Sequence, residues 1–416
     1  MSIRDVVSYA YAAHNTAAAA ALETCRQTCM SWPRTQDPAQ YSWLATKGYT
    51  ANSISNLGGD ILACRVKHLS FAAYGRNDAA FHCPHATNPS QAICRDSFVN
   101  GYTPYELQRQ GQQTRHRVGY CDLSAQNTIA DCVDQNLDDA SFVQALKFLP
   151  ATVQIIFMSG NPTITDGSLG ITKLTEDIFK ANLKSPSSVQ AIYLNDNSIA
   201  DIHENALRGL VNLKIFCINM NPLPSIPEKL FQYSPNLLAF EHFTTGQFPG
   251  DNTALSEFPA KLFSNTKKIE RIVIYGHKRV SSLPSGLLDG LSKLNIFTVV
   301  DSALTSDGIP DDLFHDCTSL QFWDFFGNSM TTFDGRWFNG IWEKNLIRVA
   351  MWGQCIPDPD TMTIDTSAFD GMDSLEVAYF HNNAGAEIDP AVFANKSNFA
   401  ILTFTGGRFT AFCPPP

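Results

Sequence analysis

The chain has 416 residues, of which 44% are apolar, and a formal net charge of −10 at pH 7. It can bury a large core, yet no uninterrupted apolar run approaches the roughly 18 to 20 residues that a membrane span needs. The mild acidity is spread along the sequence, which argues against nucleic acid as a partner.

The N-terminus does not have the pattern of a secretory signal. Residues 1–22 contain one Arg and scattered polar residues, and the alanine run at 17–21 predicts a helix because Ala has the highest helix propensity. Two interpretations follow: the protein is cytosolic, or the chain is an internal piece of a longer secreted precursor. The cysteines described next favour the second, so we expect an extracellular or cell-surface location.

Cysteines are concentrated ahead of the repeats described below. Of the 11 cysteines, seven precede the first clear repeat, and the odd total leaves at least one thiol without an internal partner. A dense cysteine cluster in a loop-rich segment is typical of an oxidising compartment. The disulfide candidates, whose pairing stays open, are Cys25, Cys29, Cys64, Cys83, Cys94, Cys121, Cys132 and Cys413.

Some of these cysteines lie in a longer pattern. Its parts are Cys25-x3-Cys29-x2-Trp32-Pro33, Gly58-Gly59-Asp60-x-Leu62-Ala63-Cys64-Arg65-x2-His68-Leu69, His82-Cys83-Pro84-His85-Ala86 and Cys94. This stretch resembles a cysteine-rich module of other secreted multidomain proteins, and the resemblance implies no activity. Further cysteines precede the stretch in such modules and none does here, so we expect N-terminal truncation or processing.

The same stretch contains a weak metal-ligand pattern. Zinc accepts thiolate and imidazole ligands, but the usual C-x2-C or H-x3-H spacings are absent and other cysteines offer disulfide partners. We therefore expect disulfides and hydrogen-bonded histidines, and no cofactor, with zinc or haem ligation as the less favoured alternative. The weak candidates are Cys64, His68, His82, Cys83 and His85.

A nine-residue phrase recurs ten times after this segment: apolar-x-x-apolar-x-apolar-x-x-(Asn or a small polar residue). We number its positions 1 to 9 and call each copy with its following segment a coil. Successive starts are separated by 24 to 36 residues. The ten coils start at Val153, Val189, Leu213, Leu237, Ile269, Leu294, Leu320, Leu346, Leu375 and Phe399.

This periodicity resembles the leucine-rich repeats of extracellular proteins, of the longer, typical type, over about 265 of the 416 residues. The resemblance implies an α/β solenoid: a leucine-rich-repeat horseshoe with a parallel concave sheet. We predict a small helical, disulfide-rich N-terminal module over residues 1–116 and the solenoid over residues 117–416. Val118, Cys121 and Leu123 predict an atypical cap strand, and Cys413 predicts a C-terminal cap.

Two features within the solenoid predict local detail. Asn161, Asn197, Asn221, Asn328 and Asn383 occupy position 9, where an amide can satisfy buried backbone groups. The fourth coil is irregular, since His242 takes one of its apolar positions and residues 246–254 predict an inserted loop. We therefore expect a disturbed ladder between Leu237 and Ser302.

The concave face is the predicted binding surface. Strand side chains alternate and the strand ends turn away, so positions 2, 3, 5, 7 and 8 face outward, and aromatic residues at positions 3, 5 and 7 form an apolar stripe. Such a stripe is typical of interaction hot spots, although lateral packing of the rings is the alternative. The candidate ligand-binding residues are Tyr193, Phe243, Tyr275, Phe322, Phe326, Trp352, Tyr379 and His381.

Single residues complete the sequence analysis. Cys217 at position 5 is predicted to face the concave side, either as a reactive unpaired thiol, as an intermolecular link or as a half-buried inert thiol. Asn395 begins the acceptor sequence Asn-Lys-Ser and is the candidate glycosylation site. The closing prolines, residues 414–416, predict a stiff linker into a longer protein.

Motifs of common catalytic sites are absent from the sequence, so we expect no enzyme. The first functional hypothesis is an extracellular recognition or adhesion module that binds a protein, peptide or glycan. The second is a structural subunit of an extracellular fibre or cell-surface coat, whose partners are copies of itself or other chains. The third is a metal- or haem-binding protein that uses the N-terminal cysteines and histidines.

Overall fold

The structure is a computed structural model that describes residues 116–161, 169–243, 255–311, 313–338, 344–356, 361–380 and 383–385, with 393, 395–397, 399 and 401–403. The predicted N-terminal module and the loop at 246–254 lie outside these residues. Their structure and the boundary at residue 116 therefore stay predictions.

The described residues contain seventeen strands, two α-helices and four short 3-10 helices. The strands are β1 (His116–Val118), β2 (Cys121–Leu123), β3 (Ile129–Asp131), β4 (Ile155–Phe157), β5 (Lys173–Leu174), β6 (Ala191–Tyr193), β7 (Asp201–Ile202), β8 (Ile215–Cys217), β9 (Ala239–Phe243), β10 (Arg271–Tyr275), β11 (Ile296–Val300), β12 (Phe322–Asp324), β13 (Thr332–Phe333), β14 (Arg348–Ala350), β15 (Thr363–Ile364), β16 (Val377–Tyr379) and β17 (Ile401–Thr403). The helices are α1 (Asp139–Phe148) and α2 (Ile178–Asn182), and the 3-10 helices are Pro186–Ser188, Ser306–Gly308, Gly335–Phe338 and Thr366–Phe369.

Thirteen of these strands join one sheet in the order β1-β2-β3-β4-β6-β8-β9-β10-β11-β12-β14-β16-β17. Each of the ten phrases supplies one strand, and all of these strands pair in parallel, with position 3 opposite position 3. The solenoid prediction and its register are confirmed. The predicted irregularity of the fourth coil is wrong for the sheet, because β9 pairs with both β8 and β10 without a break.

The start of the sheet differs from the single predicted cap strand. β1 and β2 form an antiparallel hairpin, β3 pairs antiparallel with β2, and β3 then pairs in parallel with β4. The eleventh parallel strand is therefore β3, and Val118, Cys121 and Leu123 lie in the hairpin. A Cys121–Cys132 disulfide links β2 to the residue that follows β3. This hairpin covers the sheet edge, which would otherwise present unpaired backbone groups.

Helix α1 lies between β3 and β4, just ahead of the first coil. The Asp138 side chain accepts a hydrogen bond from the Ser141 backbone N–H at 2.7 Å, and Ser141 Oγ lies 2.8 Å from the Asp138 backbone N–H. This reciprocal cap satisfies donors that a helix start leaves open. Phe142 on α1 is buried and meets Phe179 on α2 edge to face, with ring centroids 6.3 Å apart.

The core lies between the sheet and the outer segments. Positions 1, 4 and 6 point inward, as in Leu213, Phe216 and Ile218, which are fully buried. Large rings fill the later coils, where Trp323 stacks on Phe325 with centroids 4.0 Å apart. Burying such a side chain contributes about 1.5 to 3 kcal/mol, so no coil buries its apolar face without its neighbours.

Position 9 carries the predicted amide ladder. Asn221 Oδ1 accepts the Ile199 backbone N–H at 3.0 Å, and its Nδ2 donates to the Leu194 carbonyl at 2.9 Å. Asn383 likewise donates to the position 6 carbonyl of the preceding coil, that of Met351, at 2.7 Å, and its Oδ1 accepts the backbone N–H of the position 9 residue Gln354 at 2.8 Å. The prediction for the position 9 asparagines is confirmed, and Gln354 substitutes for asparagine in the same way.

Position 8 turns the chain away from the sheet. Every described residue at this position has a positive φ, the left-handed conformation that glycine adopts without a steric penalty. Four are glycines and three are not, and Met220 with φ 60° lacks the short polar side chain that often tolerates it. The residues are Gly160, Asp196, Met220, Gly276, Asp301, Gly327 and Gly353.

Within the described residues, no helix combines the length and apolar character needed to cross a membrane.

Candidate functional site

The candidate site is the outward face of the sheet in coils 5 to 8, formed by positions 3, 5 and 7. In β10 the inward residues Ile272 and Ile274 are fully buried, the outward residues Arg271 and Tyr275 are half-buried, and the outward Val273 between them is 8% exposed. Strand geometry alone therefore presents these outward side chains. Since neighbouring strands lie about 4.8 Å apart, each coil adds one row to this face.

Four of the predicted aromatic residues are partly accessible here: Tyr275, Phe322, Phe326 and Trp352. The Phe326 and Trp352 rings stack with centroids 4.5 Å apart and an interplanar angle of 9°. Tyr275 meets Phe243 edge to face at 6.1 Å. We call these four residues the aromatic stripe.

The other predicted concave aromatics are not available to a ligand in this structure. Tyr193, Phe243 and Tyr379 are only 6%, 4% and 5% exposed, so the expectation that they are accessible is wrong. Tyr193 stacks on Phe157 at 4.7 Å, which is the lateral packing offered as the alternative. His381 lies outside the described residues.

Burial also acts on the hydroxyl of Tyr275. Burial, and then the nearby Asp301 carboxylate, raise the pKa of Tyr275 above its usual value. The phenol therefore stays protonated at neutral pH and can act as a hydrogen-bond donor.

Two ion pairs lie on the same face, each joining position 5 of one coil to position 3 of the next. Arg271 Nε lies 2.9 Å from Glu241 Oε1. Arg348 Nε donates to Asp324 Oδ1 at 2.8 Å, and Arg348 Nη2 donates to Asp324 Oδ2. Both carboxylates are buried, at 4% and 5% exposure, so their charges are neutralised within the protein.

These ion pairs were not predicted from the sequence. Glu241 and Arg271 are 30 residues apart, and only the strand register places them on adjacent strands. The Arg348 guanidinium also lies 5.1 Å from the centroid of the Phe322 ring, a cation–π contact that holds this ring of the aromatic stripe.

Position 7 has a different role in the first three coils. Ser159 Oγ accepts the Asn195 backbone N–H at 3.1 Å, and Asn195 Oδ1 accepts that of Asn219 at 2.9 Å. Asn219 Oδ1 in turn accepts the Phe243 backbone N–H at 3.0 Å. These polar side chains join one coil to the next. Their repetition at position 7 was a signal in the sequence that could have predicted this.

Cys217 is a buried and inert thiol in this structure. Cys217 is free but only 5% exposed, and burial, followed by the nearby Glu241 carboxylate, raises the pKa of its thiol well above the usual value. Of the three alternatives offered for Cys217, the structure therefore supports the inert thiol. Cys317 is a second free thiol in the described part of the chain, and burial raises its pKa to about 12.

Two disulfide findings bear on the predicted cysteines. Cys121 and Cys132 pair with each other. Cys355, which was not among the candidates, is also disulfide-bonded. The remaining candidates lie outside the described residues: Cys25, Cys29, Cys64, Cys83, Cys94 and Cys413.

The described residues contain no group of three or more His, Cys, Asp or Glu side chains placed to hold a metal ion. The weak N-terminal candidates His68, His82 and His85, with Cys64 and Cys83, lie outside the described residues. Asn395 and Ser397 of the glycosylation acceptor are both exposed.

Comparisons with known proteins address the fold. Six copies of the family described as BspA type Leucine rich repeat region match residues 238–346. No curated protein matches the chain significantly.

Solved structures also show a likeness. A chain of the Drosophila Toll–Spatzle complex is 18% identical with a TM-score of 0.43, covering 63% of this chain and 39% of that one, so this chain spans about two fifths of its length. A chain of the octameric Latrophilin 3, Unc5D and FLRT2 complex is 16% identical with a TM-score of 0.45, covering 68% of this chain and 82% of that one. The repeat-family match and the ten-coil parallel ladder together identify this chain as a leucine-rich-repeat protein.

Proposed function

We propose that the chain is a non-enzymatic extracellular recognition module that binds a protein or peptide on the concave face of coils 5 to 8. The observation that carries the proposal is the aromatic stripe, four half-buried rings held on a rigid parallel sheet. Tyr and Trp are enriched at the centres of protein interfaces, and a contiguous apolar surface favours contact with a partner.

The dimensions of the stripe fit a short peptide segment or a protruding loop. Tyr275 lies on β10 and Trp352 follows β14, three strand spacings further along the sheet. At about 4.8 Å per strand, the stripe is about 14 Å long. An extended peptide of four or five residues covers that distance at about 3.3 Å per residue.

The charges on this face favour a partner that binds through apolar groups. Glu241 with Arg271, and Asp324 with Arg348, form neutral pairs that border the stripe. They leave no patch of one sign to attract a strongly charged ligand. Leucine-rich-repeat domains typically mediate protein binding, which favours a protein over a glycan as the partner.

An extracellular location is part of the proposal. The Cys121–Cys132 disulfide and the disulfide-bonded Cys355 are typical of oxidising compartments. The exposed Asn395 of the acceptor sequence supports the same location and is proposed to carry a glycan.

The test is a variant with Tyr275→Ala, Phe326→Ala and Trp352→Ala in the full chain. Peptide display and a glycan array with the wild-type chain identify the ligand, and calorimetry then measures its affinity for the variant. We expect the Kd to rise by at least about 100-fold, because hot-spot truncations each cost about 2 kcal/mol or more. Thermal unfolding checks that the variant is folded.

The matched control is Phe148→Ala, an aromatic residue on α1 that is 48% exposed and lies off the concave face. This control is expected to bind with wild-type affinity. Retained affinity in the triple variant would contradict the proposed face, and selective capture of glycans would replace the proposed protein partner with a carbohydrate.

A further inference from the structure

Two histidines lie inside the solenoid at the joint between coils 4 and 5. His242 occupies position 6, which is aliphatic or aromatic in the other coils, and His277 occupies position 9, where most coils have an amide. Each is only 1% exposed, and their ring centroids are 4.6 Å apart. Such a pair of buried imidazoles is neither required by the fold nor used by the proposed binding face.

His277 takes over the role of the missing amide. Its Nε2 lies 3.2 Å from the carbonyl oxygen of His242, the position 6 carbonyl of the preceding coil. Asn197 makes the same bond to Met158, and Asn328 makes it to Val299, at 2.9 and 2.8 Å. Since a carbonyl only accepts, Nε2 carries the proton, which leaves Nδ1 as the deprotonated nitrogen of a neutral ring.

The remaining ring nitrogens have no hydrogen-bond partner within the described part of the chain. They are His242 Nδ1, His242 Nε2 and His277 Nδ1. The neighbouring aromatic rings include Phe240, 6.5 Å from the His242 centroid, and Phe258, 6.2 Å from that of His277. Aromatic surroundings suit a neutral imidazole but offer little to stabilise a charged one.

Charged groups nearby are engaged with one another. Glu241 and Arg271 pair on the outward face of β9 and β10, and Lys278 Nζ lies 2.5 Å from Asp301 Oδ1 beyond the ladder. Glu257, which precedes Phe258, is exposed. Within the pair, a positive charge on His277 repels a positive charge on His242, and this repulsion lowers the pKa of His242.

Burial lowers the pKa of both imidazole rings. It lowers the pKa of His277 from 6.5 to about 4, and burial together with His277 lowers the pKa of His242 well below its usual value. In the unfolded chain both imidazoles titrate near 6.5.

We propose that the His242–His277 pair makes the joint between coils 4 and 5 acid-sensitive, holding the coils together while both rings are neutral and releasing them when a ring is protonated. The unfolded or locally opened chain binds these protons more readily than the closed joint. Stability from the pair is therefore fully present above pH 6.5 and is lost as the pH falls towards 4.

The effect is large enough to measure. Between pH 7 and pH 5 each histidine is expected to raise the equilibrium constant for opening by about 25-fold. The two together give a change of several hundred-fold. Other titrating groups add the same contribution to wild type and variants, so differences between them isolate the pair.

The experiment compares urea unfolding of the full, oxidised chain at pH 7, 6 and 5 for wild type, His242→Leu and His277→Asn. Leu is the usual kind of residue at position 6, and Asn restores the amide at position 9. Between pH 7 and pH 5, the equilibrium constant for opening is expected to rise about 25-fold less in each variant than in wild type. The control His315→Asn changes an exposed histidine by the same substitution and is expected to match wild type.

A second measurement needs no variant to fold. Nuclear magnetic resonance of ring-labelled histidine in the wild-type chain should show two imidazoles that remain neutral at pH 5 while the chain is folded. Two rings that titrate near pH 6.5 in the folded chain would overturn the proposal. So would variants with wild-type acid sensitivity.

Discussion

The first three coils and coils 5 to 8 share one strand geometry but use position 7 differently. In coils 1 to 3, Ser159, Asn195 and Asn219 accept the backbone N–H of the next coil. In the later coils this position carries Tyr275, Val300, Phe326 and Trp352. The first arrangement uses the side chain to join coils, whereas the second places a partly accessible ring on the surface in coils 5, 7 and 8 and a buried Val300 in coil 6.

The strands change with the side chains. β4, β6 and β8 have three residues each, whereas β9, β10 and β11 have five and extend to position 7. A polar side chain at position 7 competes with the sheet for the backbone N–H, while β-branched and aromatic residues favour strand geometry. Strand length does not follow position 7 alone, because β12 and β14 have Phe326 and Trp352 at this position and only three residues each. The residue at position 7 therefore decides the nature of the exposed face, and it lengthens the strand only in coils 4 to 6.

The largest expected effect tests what the two regions share. Asn221→Ala and Asn328→Ala each remove a buried amide that accepts one backbone N–H and donates to a carbonyl of the preceding coil. Each is expected to lower the free energy of unfolding by about 3 to 5 kcal/mol, because buried backbone groups lose their partners. Urea denaturation measures both; a loss below about 1 kcal/mol in either coil would contradict a common ladder.

The next largest loss of stability should be confined to the N-terminal end of the sheet. Replacing Cys121 and Cys132 with Ala opens a link between residues 11 positions apart. The expected loss of stability is about 2 to 3 kcal/mol from the unfolded-state entropy of the opened loop. Hydrogen exchange should accelerate in β1 to β4 and remain unchanged in β10 to β14; acceleration of equal size in both would show that the cap supports the whole ladder.

A smaller effect tests the role of position 7 in the first region. Asn219→Ala removes the acceptor for the buried Phe243 backbone N–H and is expected to cost about 1 to 2 kcal/mol. Phe326→Ala, at the same position of coil 7, removes no such acceptor. Thermal unfolding of the two variants, with the proposed ligand absent, checks whether the polar side chain joins coils.

The smallest effect concerns position 8 and has the opposite sign. Met220 has a φ of 60°, and the equivalent Gly327 has a φ of 70°. Met220→Gly is expected to raise the free energy of unfolding by about 0.5 to 1 kcal/mol, since relief of the left-handed strain exceeds the added chain entropy. The reverse change, Gly327→Met, should lower it. A destabilised Met220→Gly would show that packing of the methionine outweighs the strain.

Much of the fold was predictable because three inward residues per coil fix both strand position and register. A shift of one residue would expose all of them, so the phrase that starts at Leu320 could pair in only one way. The cap hairpin was not predictable, because β1 to β3 have three residues each and no repeat. Short segments of that kind carry too little periodicity to reveal their partners.

The candidate site was predictable only in part. The alternation of the strand identified Tyr275 and Trp352 as outward-facing, but the burial of Tyr193 and Tyr379 depends on neighbouring side chains that no local pattern contains. The Glu241–Arg271 pair required the register between distant segments. His242 was recognised as an exception in an apolar position, but its contact with His277 came from the stacking of two coils.

The amide ladder also bears on how the length of such a chain can change. In the described coils, the position 9 side chain bonds a backbone group of the preceding segment, and each position 8 N–H that has a described partner donates to the coil after it. Neighbouring coils thus present compatible donors and acceptors at every joint, whatever the length of the segment between strands. Duplication or deletion of a whole coil preserves these joints, so evolution can lengthen or shorten the solenoid in steps of one unit.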